Sequence, residues 1–318
     1  MEIKVRSIEP AELDAWFSLS AGDPGDARLR QRLEAAWTAG EGSSSSTFVA
    51  ERDGELVGRV AYIVDEAASG PDSSEVFLFA MWLPWQAPEA VAIGRRLVLE
   101  TIQRLPGTVR ALNGYANPEY MIGAHVRRAT FEAAGMPLFQ EKEGFLWTPA
   151  SRDPEVPGPV VTFRSLPDVG PDAFVEPFAR ALDGSLDRHD CHQARLMGHD
   201  DWARDMLTML RDEDTADWLL AFDQSGAVAG YVLLGEFGEP NRGTILHIGV
   251  MPEARGHGVV TELLRAANDA ARRRGFARVL SDVDVQNSPM LAAMERAGHR
   301  AANTNWHVWH HRLELPTG

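Results

Sequence analysis

The sequence contains one cysteine, Cys191, so no disulfide can form within the chain. It has no apolar run approaching ~18 residues, the length that a membrane-spanning helix needs. The residues that follow Met1 lack the apolar core of a secretory signal. These absences predict a cytoplasmic protein with no membrane partner. We interpret the single thiol as a small packed side chain rather than a reactive group.

Basic residues are scarce, because 31 Lys and Arg stand against 46 Asp and Glu, which gives a formal net charge of −15. The sequence offers no basic stripe that could neutralise phosphates, and this argues against a nucleic-acid partner. A surplus of negative charge can attract a cationic small molecule, such as an amine. An anionic ligand would need local donors strong enough to overcome the overall field.

The chain length of 318 residues suits two domains, and the two halves show the same order of elements. Each half opens with a strand, continues through a helical segment into a hairpin, and closes with a helix that ends in Ala-Gly. Between them, prolines exclude a helix or central strand from residues 149–159. We therefore predict domains at 1–148 and 160–318, joined by a linker at 149–159.

A glycine-rich turn in the second half is the most informative segment, because it connects a β-rich stretch ending at Pro252 to a predicted helix. The first N–H groups of a helix lack internal acceptors, and the helix dipole places about half a positive charge there. Gly256 and Gly258 would let a diphosphate approach these amides, and Arg255 adds a formal charge. The predicted buried face of the helix consists of Val260, Leu263, Leu264, Ala267, Ala270 and Ala271.

This segment resembles the GCN5-related N-acetyltransferase (GNAT) family, whose motif is Arg/Gln-x-x-Gly-x-Gly/Ala after a strand that ends in Val-x-Pro. Residues 250–252 read Val-x-Pro, and residues 255–260 read Arg-x-x-Gly-x-Val, with valine at the last small position. Residues 287–290 match the Asn-x-x-Met that follows the family's next strand. The resemblance implies an α/β fold with two tandem GNAT-like domains, each a mixed, mostly antiparallel sheet flanked by helices.

The resemblance also implies that the second domain binds acetyl-CoA as a co-substrate. Backbone groups near Ile248 and Val250 would pair with the pantetheine arm, and Asn287 would reach it. The predicted cofactor-binding residues are Ile248, Val250, Arg255, Gly256, His257, Gly258, Val259, Val260 and Asn287. The first domain has no glycine in the equivalent turn and carries Glu89 there, so we expect it to bind no cofactor. Its expected role is to brace the second domain and to contribute to the acceptor pocket.

Acetyl transfer to an amine needs a base for the ammonium proton and, in many family members, a tyrosine that protonates the leaving thiolate. Met294 occupies the position that matches this tyrosine, so water, another side chain or direct thiolate release must serve. The candidate catalytic residues are His247, Asp284 and Ser288. Strand alternation turns His247 away from the site unless a bulge intervenes, and Ser288 could equally cap a helix. No metal is predicted, because the Asp, His and Cys spacing in residues 187–192 fits no closed zinc pattern.

The sequence thus predicts an N-acetyltransferase that moves an acetyl group from acetyl-CoA to a primary amine of a small molecule, by direct attack in a ternary complex. Three alternatives stay open. One is a different acyl donor or acceptor, and another is a tandem-domain peptidyl transferase that uses aminoacyl-tRNA. The third is a catalytically inactive acyl-CoA-binding module. Either a monomer or a homodimer agrees with the sequence.

Overall fold

The computed structural model describes residues 3–20, 26–40, 42–70, 73–118, 121–152, 159–210, 215–236, 240–302 and 307–315. The chain divides into two compact units. The first unit comprises Met1–Glu141 and Val308–Gly318, and the second comprises Lys142–His307. Within the described ranges, no helix combines the length and the apolar character needed to cross a bilayer.

The first unit is built on a sheet whose strands follow the order β1-β2-β3-β4-β5-β13. These strands are β1 (Lys4–Ser7), β2 (Thr47–Arg52), β3 (Glu55–Gly70), β4 (Ser73–Trp82), β5 (Val109–Ala116) and, from the end of the chain, β13 (His307–Glu314). Its helices are α1 (Leu13–Ser18), α2 (Asp26–Ala39), α3 (Ala90–Arg104) and α4 (Ala124–Ala133). The β4–β5 pair is parallel, and the other pairs are antiparallel.

The second unit repeats this architecture with the strand order β6-β11-β10-β9-β8-β7 and β12 beside β6. Its strands are β6 (Leu138–Trp147), β7 (Thr162–Ser165), β8 (Trp218–Phe222), β9 (Val228–Glu236), β10 (Arg242–Val250), β11 (Arg278–Asp284) and β12 (Arg300–Ala301). Its helices are α5 (Leu166–Val169), α6 (Asp172–Ala181), α7 (Arg188–Met197), α8 (His199–Leu210), α9 (Val259–Arg274) and α10 (Ser288–Arg296). The β10–β11 pair is parallel and the remaining pairs are antiparallel. The predicted fold class is confirmed.

The two units do not have the bounds of the predicted domains. Through strand pairing, the end of the first predicted domain joins the second unit, and the end of the chain joins the first unit. Phe145 of β6 pairs with Ser281 of β11, which places residues 142–147 in the second unit. His311 of β13 pairs with Gly114 of β5, which returns the end of the chain to the first unit. Alternation in a strand predicts its buried face but not its pairing partner. Of the predicted linker, residues 153–158 lie outside the described residues.

Helices cover both faces of the second sheet, and alternate residues of β9 face opposite cores. Val232 and Leu234 pack with the α9 side of the sheet, in one cluster of buried residues. Tyr231 and Leu233 pack in a second cluster with the aromatic side chains of α6 and α8. The sheet therefore separates a helix-α9 face from a face covered by α6, α7 and α8.

Glycines in the left-handed region define both ends of α9. Gly258 is its N-cap with a φ of 83°, and Gly275 is its C-cap with a φ of 71°. Between them, Leu263, Leu264, Ala267, Ala270 and Ala271 are buried, as the helical spacing predicts. Val260 is half-buried and packs against the same core, and Val259 beside it is buried.

Candidate active site

The parallel strands β10 and β11 pair over a short stretch and then separate. Their register covers Arg242, Gly243 and Thr244, opposite Arg278, Val279 and Leu280. Beyond this point β10 continues to Val250 and β11 to Asp284 without pairing to each other. An open wedge between two strands offers backbone groups to an extended ligand, which can add to a strand edge as a further strand does.

A cavity of about 390 Å³ lies at this wedge and extends to the N-terminus of α9. Most of the predicted cofactor residues line it, namely Ile248, Val250, Arg255, Gly256, Gly258, Val259, Val260 and Asn287. His257, also predicted, is exposed in the same turn and lies outside the lining. The segment that connects α6 to α7 closes the other side, through Ala181, Gly184, Ser185 and Leu186.

The turn before α9 is shaped to expose main-chain amides. Gly256 and Gly258 have φ values of 77° and 83°, in the left-handed region that side chains with a Cβ rarely adopt. No side chain caps the helix at Gly258, and the amides of Val259 and Val260 have no acceptor within the helix. Together with the helix dipole, these amides create a site suited to an anion.

Arg255 has a different immediate role from the predicted one. Its Nε donates to the carbonyl oxygen of Val250 at 3.2 Å, its Nη1 to that of Asp183 at 2.5 Å, and its Nη2 to that of Ala181 at 2.8 Å. The guanidinium thus ties the α6–α7 segment to the glycine turn. It still adds positive charge beside the cavity, but its donors are directed to the main chain.

Residues 185–299 match the Acetyltransferase (GNAT) family. This segment is a GNAT domain. The chain is 27% identical over 323 residues to a mycothiol acetyltransferase from Arthrobacter sp. (strain FB24), which covers 92% of this chain and 95% of that protein. It is 36% identical over 104 residues to a mycothiol acetyltransferase from Salinispora arenicola (strain CNS-205), which covers 30% of this chain and 34% of that protein.

Solved structures show the same fold in tandem. A GCN5-related N-acetyltransferase from Sphaerobacter thermophilus superposes with a TM-score of 0.56 at 20% identity, covering 98% of this chain and 95% of that chain. A tandem GNAT protein from the clavulanic acid biosynthesis pathway superposes with a TM-score of 0.55 at 17% identity, covering all of both chains. The chain therefore shares the fold of these proteins, and the family match of residues 185–299 supports an acyltransferase.

In the GNAT domain, a β-bulge decides where His247 points. The register between β9 and β10 shifts between Ile245 and His247, so Leu246 is the extra residue. Ile245 packs on the α9 side, whereas the His247 ring lies against Phe178 of α6, with centroids 4.9 Å apart. The bulge that the sequence prediction required is present, and it turns His247 to the α6–α8 side of the sheet.

His247 joins a buried chain of hydrogen bonds. Its Nδ1 lies 3.0 Å from the hydroxyl of Tyr231, and its Nε2 lies 3.1 Å from Oδ2 of Asp190. Burial raises the pKa of the Asp190 carboxyl, but the hydrogen bond from His247 and the positive charge of Lys142 oppose this effect, and the pKa is lowered to about 2. Burial raises the pKa of the Tyr231 hydroxyl well above its ordinary value. Asp190 is thus a carboxylate that accepts from Nε2–H, and Tyr231 donates its O–H to Nδ1.

Asp284 and Ser288, the other candidate catalytic residues, hold different positions. Asp284 is buried, and its carboxylate accepts from the main-chain N–H of Arg188 at 3.2 Å and from that of Gln286 at 2.8 Å. It therefore anchors the start of α7 to the end of β11. Ser288 is exposed at the first position of α10, and the helix is capped by Asn287, whose Oδ1 accepts from Met290 N–H at 3.3 Å. Like His247, neither side chain is among the described residues that line the cavity.

A charged group that the sequence analysis missed lies on the same side of the sheet. Lys142 of β6 places its Nζ 3.5 Å from Asp187 and 3.3 Å from Asp282. Burial lowers the pKa of Lys142, but the charges of the surrounding carboxylates raise it further, so the ammonium stays protonated. Lys142 precedes the predicted linker, but its strand β6 pairs with β11 of the second unit. The sequence of the second half alone therefore could not reveal it.

Residues 187–192, whose Asp, His and Cys spacing the sequence analysis compared with zinc sites, form the N-cap and first residues of α7. The Asp187 carboxylate caps the helix by accepting from the N–H groups of His189 and Asp190. Among the described residues, no group of three or more His, Cys, Asp or Glu side chains has the arrangement of a metal site.

Proposed function

We propose that the GNAT domain transfers an acetyl group from acetyl-CoA to a primary amine of a small molecule, by direct attack within a ternary complex. The observation that carries this proposal is the continuity of the cavity, which runs from the wedge between β10 and β11 to the uncapped N-terminus of α9. An extended arm would pair with the free edge of β10 near Ile248 and Val250. Its diphosphate would then meet the amides of Val259 and Val260.

The reaction requires a neutral amine, because only the nitrogen lone pair can attack the thioester carbonyl. We infer that His247 accepts the proton which the ammonium group loses. Its strand neighbours Ile248 and Gly249 line the cavity. On protonation, the imidazolium would keep its bond to the Asp190 carboxylate, and Nδ1–H would donate to Tyr231 after that hydroxyl turns.

The C–N bond then forms as the C–S bond breaks, and coenzyme A leaves as a thiolate. Met294, at the position that matches the family's tyrosine, is buried and has no proton to give. The thiolate therefore leaves as such or takes a proton from water, and the second proton that the attacking nitrogen must lose is released to water. Asp284 and Ser288 would act, if at all, by shaping the site, since the first is bonded to main-chain N–H groups and the second is exposed.

The similarity to mycothiol acetyltransferases makes the amine which those enzymes acetylate the first acceptor to test. The assay follows coenzyme A release with a thiol reagent, across that amine, amino sugars and simple primary amines, with acetyl-CoA and longer acyl donors. Release with acetyl-CoA and at least one amine is the expected result. A thermal shift with acetyl-CoA but no release with any amine would support the inactive-module alternative. Absence of both would contradict the cofactor assignment.

A further inference from the structure

The first unit keeps its own wedge between parallel strands. β4 pairs with β5 from Ser74 to Phe77, opposite Val109 to Asn113, and both strands then continue without pairing to each other. A cavity of about 450 Å³ lies there, and the described residues that line it all belong to the first unit. Ala80 of β4 adopts a φ of 50°, beside a register shift between β3 and β4. A non-glycine residue held in this region is often found where a site has been shaped.

The turn at the end of this wedge lacks the features that suit a diphosphate. The helix after it, α3, has Glu89 as its N-cap, and this carboxylate pairs with Arg52 at 3.2 Å. No glycine occurs between Trp82 and Glu89. A negative side chain at a helix N-terminus occupies the place where an anion would otherwise bind. The ligand of this cavity is therefore one without a diphosphate.

The cavity walls are aromatic, and the charges on them are of one sign. Five rings line the space, namely Phe77, Phe79, Trp82, Trp85 and Tyr115. Its charged lining residues within the described part of the chain are Arg32, Arg59 and Arg127, and no carboxylate lines it there. This is notable in a chain whose formal net charge is −15. Flat apolar walls favour a planar ring, and guanidinium groups favour a negative charge on the ligand.

Two of the three arginines are fixed in the wall. Arg59 is buried and donates to the carbonyl oxygen of Trp16 at 2.7 Å and to the hydroxyl of Ser20 at 2.6 Å. Arg127 donates to the carbonyl oxygen of Met81 at 2.5 Å and stacks on Trp85, its guanidinium carbon 4.7 Å from the ring centroid. Both arginines contribute positive charge to the cavity wall, but these N–H groups donate to oxygen atoms of the protein.

Arg32 differs from these two. It is exposed on α2, and its guanidinium carbon lies 5.1 Å from the centroid of the Phe79 ring. Within the described residues it forms no hydrogen bond or ion pair, so its five N–H donors face no protein acceptor. An arginine stacked on an aromatic ring is held in position to receive a carboxylate in a bidentate contact.

We propose that the first-unit cavity binds a small aromatic carboxylic acid, with its ring against the aromatic walls and its carboxylate on Arg32. The cavity volume lies within the range of small-molecule sites, about 300–1,000 Å³. This site is separate from the acetyl-CoA site, and the proposal does not depend on acetyl transfer.

The test is a binding titration of the full chain with indole-3-acetate, followed by ligand-observed NMR and by tryptophan fluorescence. Indole-3-acetamide serves as the neutral analogue and tryptamine as the cationic one. The acid is expected to bind about tenfold more tightly than the amide, the factor that a 1.4 kcal/mol contact gives, and the amine is expected to bind more weakly still. Equal binding of the three compounds, or no binding of the acid, would overturn the proposal.

A matched pair of variants then locates the site. Arg32→Gln is expected to lower the affinity for the acid by about tenfold, while Arg95→Gln, which neutralises an exposed arginine on α3, leaves it unchanged. Neither position is buried, so both variants should fold. An equal effect of the two variants would contradict a contact with Arg32, and displacement of the acid by coenzyme A would contradict a site distinct from the cofactor site.

Discussion

The imidazole of His247 and the carboxylate of Asp190 form a hydrogen-bonded pair with Nε2 and Oδ2 3.1 Å apart, although the two residues lie 57 positions apart in the chain. The pair is brought together by the bulge in β10 and by the N-terminal turn of α7. On the other side of the ring, the Tyr231 hydroxyl contacts Nδ1. Both ring nitrogens are therefore engaged, which fixes the plane and the tautomer of the imidazole.

Replacing Asp190 by asparagine tests whether this pair serves proton transfer. The substitution keeps an acceptor for Nε2–H but removes the charge that stabilises the imidazolium, so kcat should fall by about tenfold to a hundredfold. KM for acetyl-CoA should change little. Steady-state kinetics measures both quantities.

Asp201→Asn is the matched control, since Asp201 is an exposed aspartate on α8. It should leave kcat unchanged. A kcat in Asp190→Asn equal to that of Asp201→Asn would contradict a role of Asp190 in proton transfer.

Replacing Arg255 by alanine tests the contact between the glycine turn and the α6–α7 segment. Three carbonyl oxygens lose their donors, so the free energy of unfolding should fall by about 1–3 kcal/mol, and acetyl-CoA should bind more weakly as the cavity wall loosens. Arg255→Lys should recover little, because an ammonium cannot reproduce the guanidinium fork. Arg195→Ala removes an exposed arginine from α7 and is the control. Urea unfolding that gave the two alanine variants equal stability would refute this role.

A buried histidine should make the second unit sensitive to acid. His299 is buried, its Nε2 lies 3.0 Å from Oδ1 of Asn268, and burial lowers its pKa to about 4. In the unfolded chain His299 takes up a proton near pH 6.5, whereas in the folded chain it stays neutral until about pH 4. The free energy of unfolding is therefore fully retained above this pH window and decreases as pH falls through it. The loss due to His299 should reach about 2 kcal/mol at pH 5.

The comparison of wild type with His299→Gln isolates this contribution from other titrating groups. Glutamine can keep a polar contact with Asn268 but cannot take up a proton near neutral pH. The difference in the free energy of unfolding between the two proteins should therefore shrink or reverse from about pH 7 to about pH 5. A difference that is independent of pH would show that His299 does not titrate on unfolding.

The glycine-rich turn and the helix after it were readable from the sequence because their chemistry is local. The spacing of Arg255, Gly258 and Pro252 sets a strand end, a left-handed turn and a helix start within a few residues. The hairpin turn formed by Asp53 and Gly54, both of which have a positive φ, was predictable for the same reason. Most of the predicted cofactor residues consequently line one cavity; that they bind the cofactor stays a prediction.

Features that depend on distant contacts were not readable. Nothing in the pattern of β10 marks Leu246 as a bulged residue, so the side to which His247 points could be given only conditionally. Lys142 lies before the predicted linker, and its partners Asp187 and Asp282 lie after it. Two of the three hydrogen bonds that Arg255 donates go to carbonyl groups more than 70 residues away. Each of these arrangements is decided by packing, which local sequence does not encode.

We propose that acetyl-CoA binds at the glycine turn of the GNAT domain and not at the equivalent turn of the first unit. His257 and Gln86 are exposed residues of the two turns, and replacing either by glutamate adds one negative charge without removing a buried contact. Calorimetric titration with coenzyme A should show one site. The affinity should fall about tenfold or more in His257→Glu, which is the cost of a repulsive contact of 1.4 kcal/mol. The affinity should be unchanged in Gln86→Glu. The reverse order, with Gln86→Glu impaired and His257→Glu unaffected, would contradict the claim.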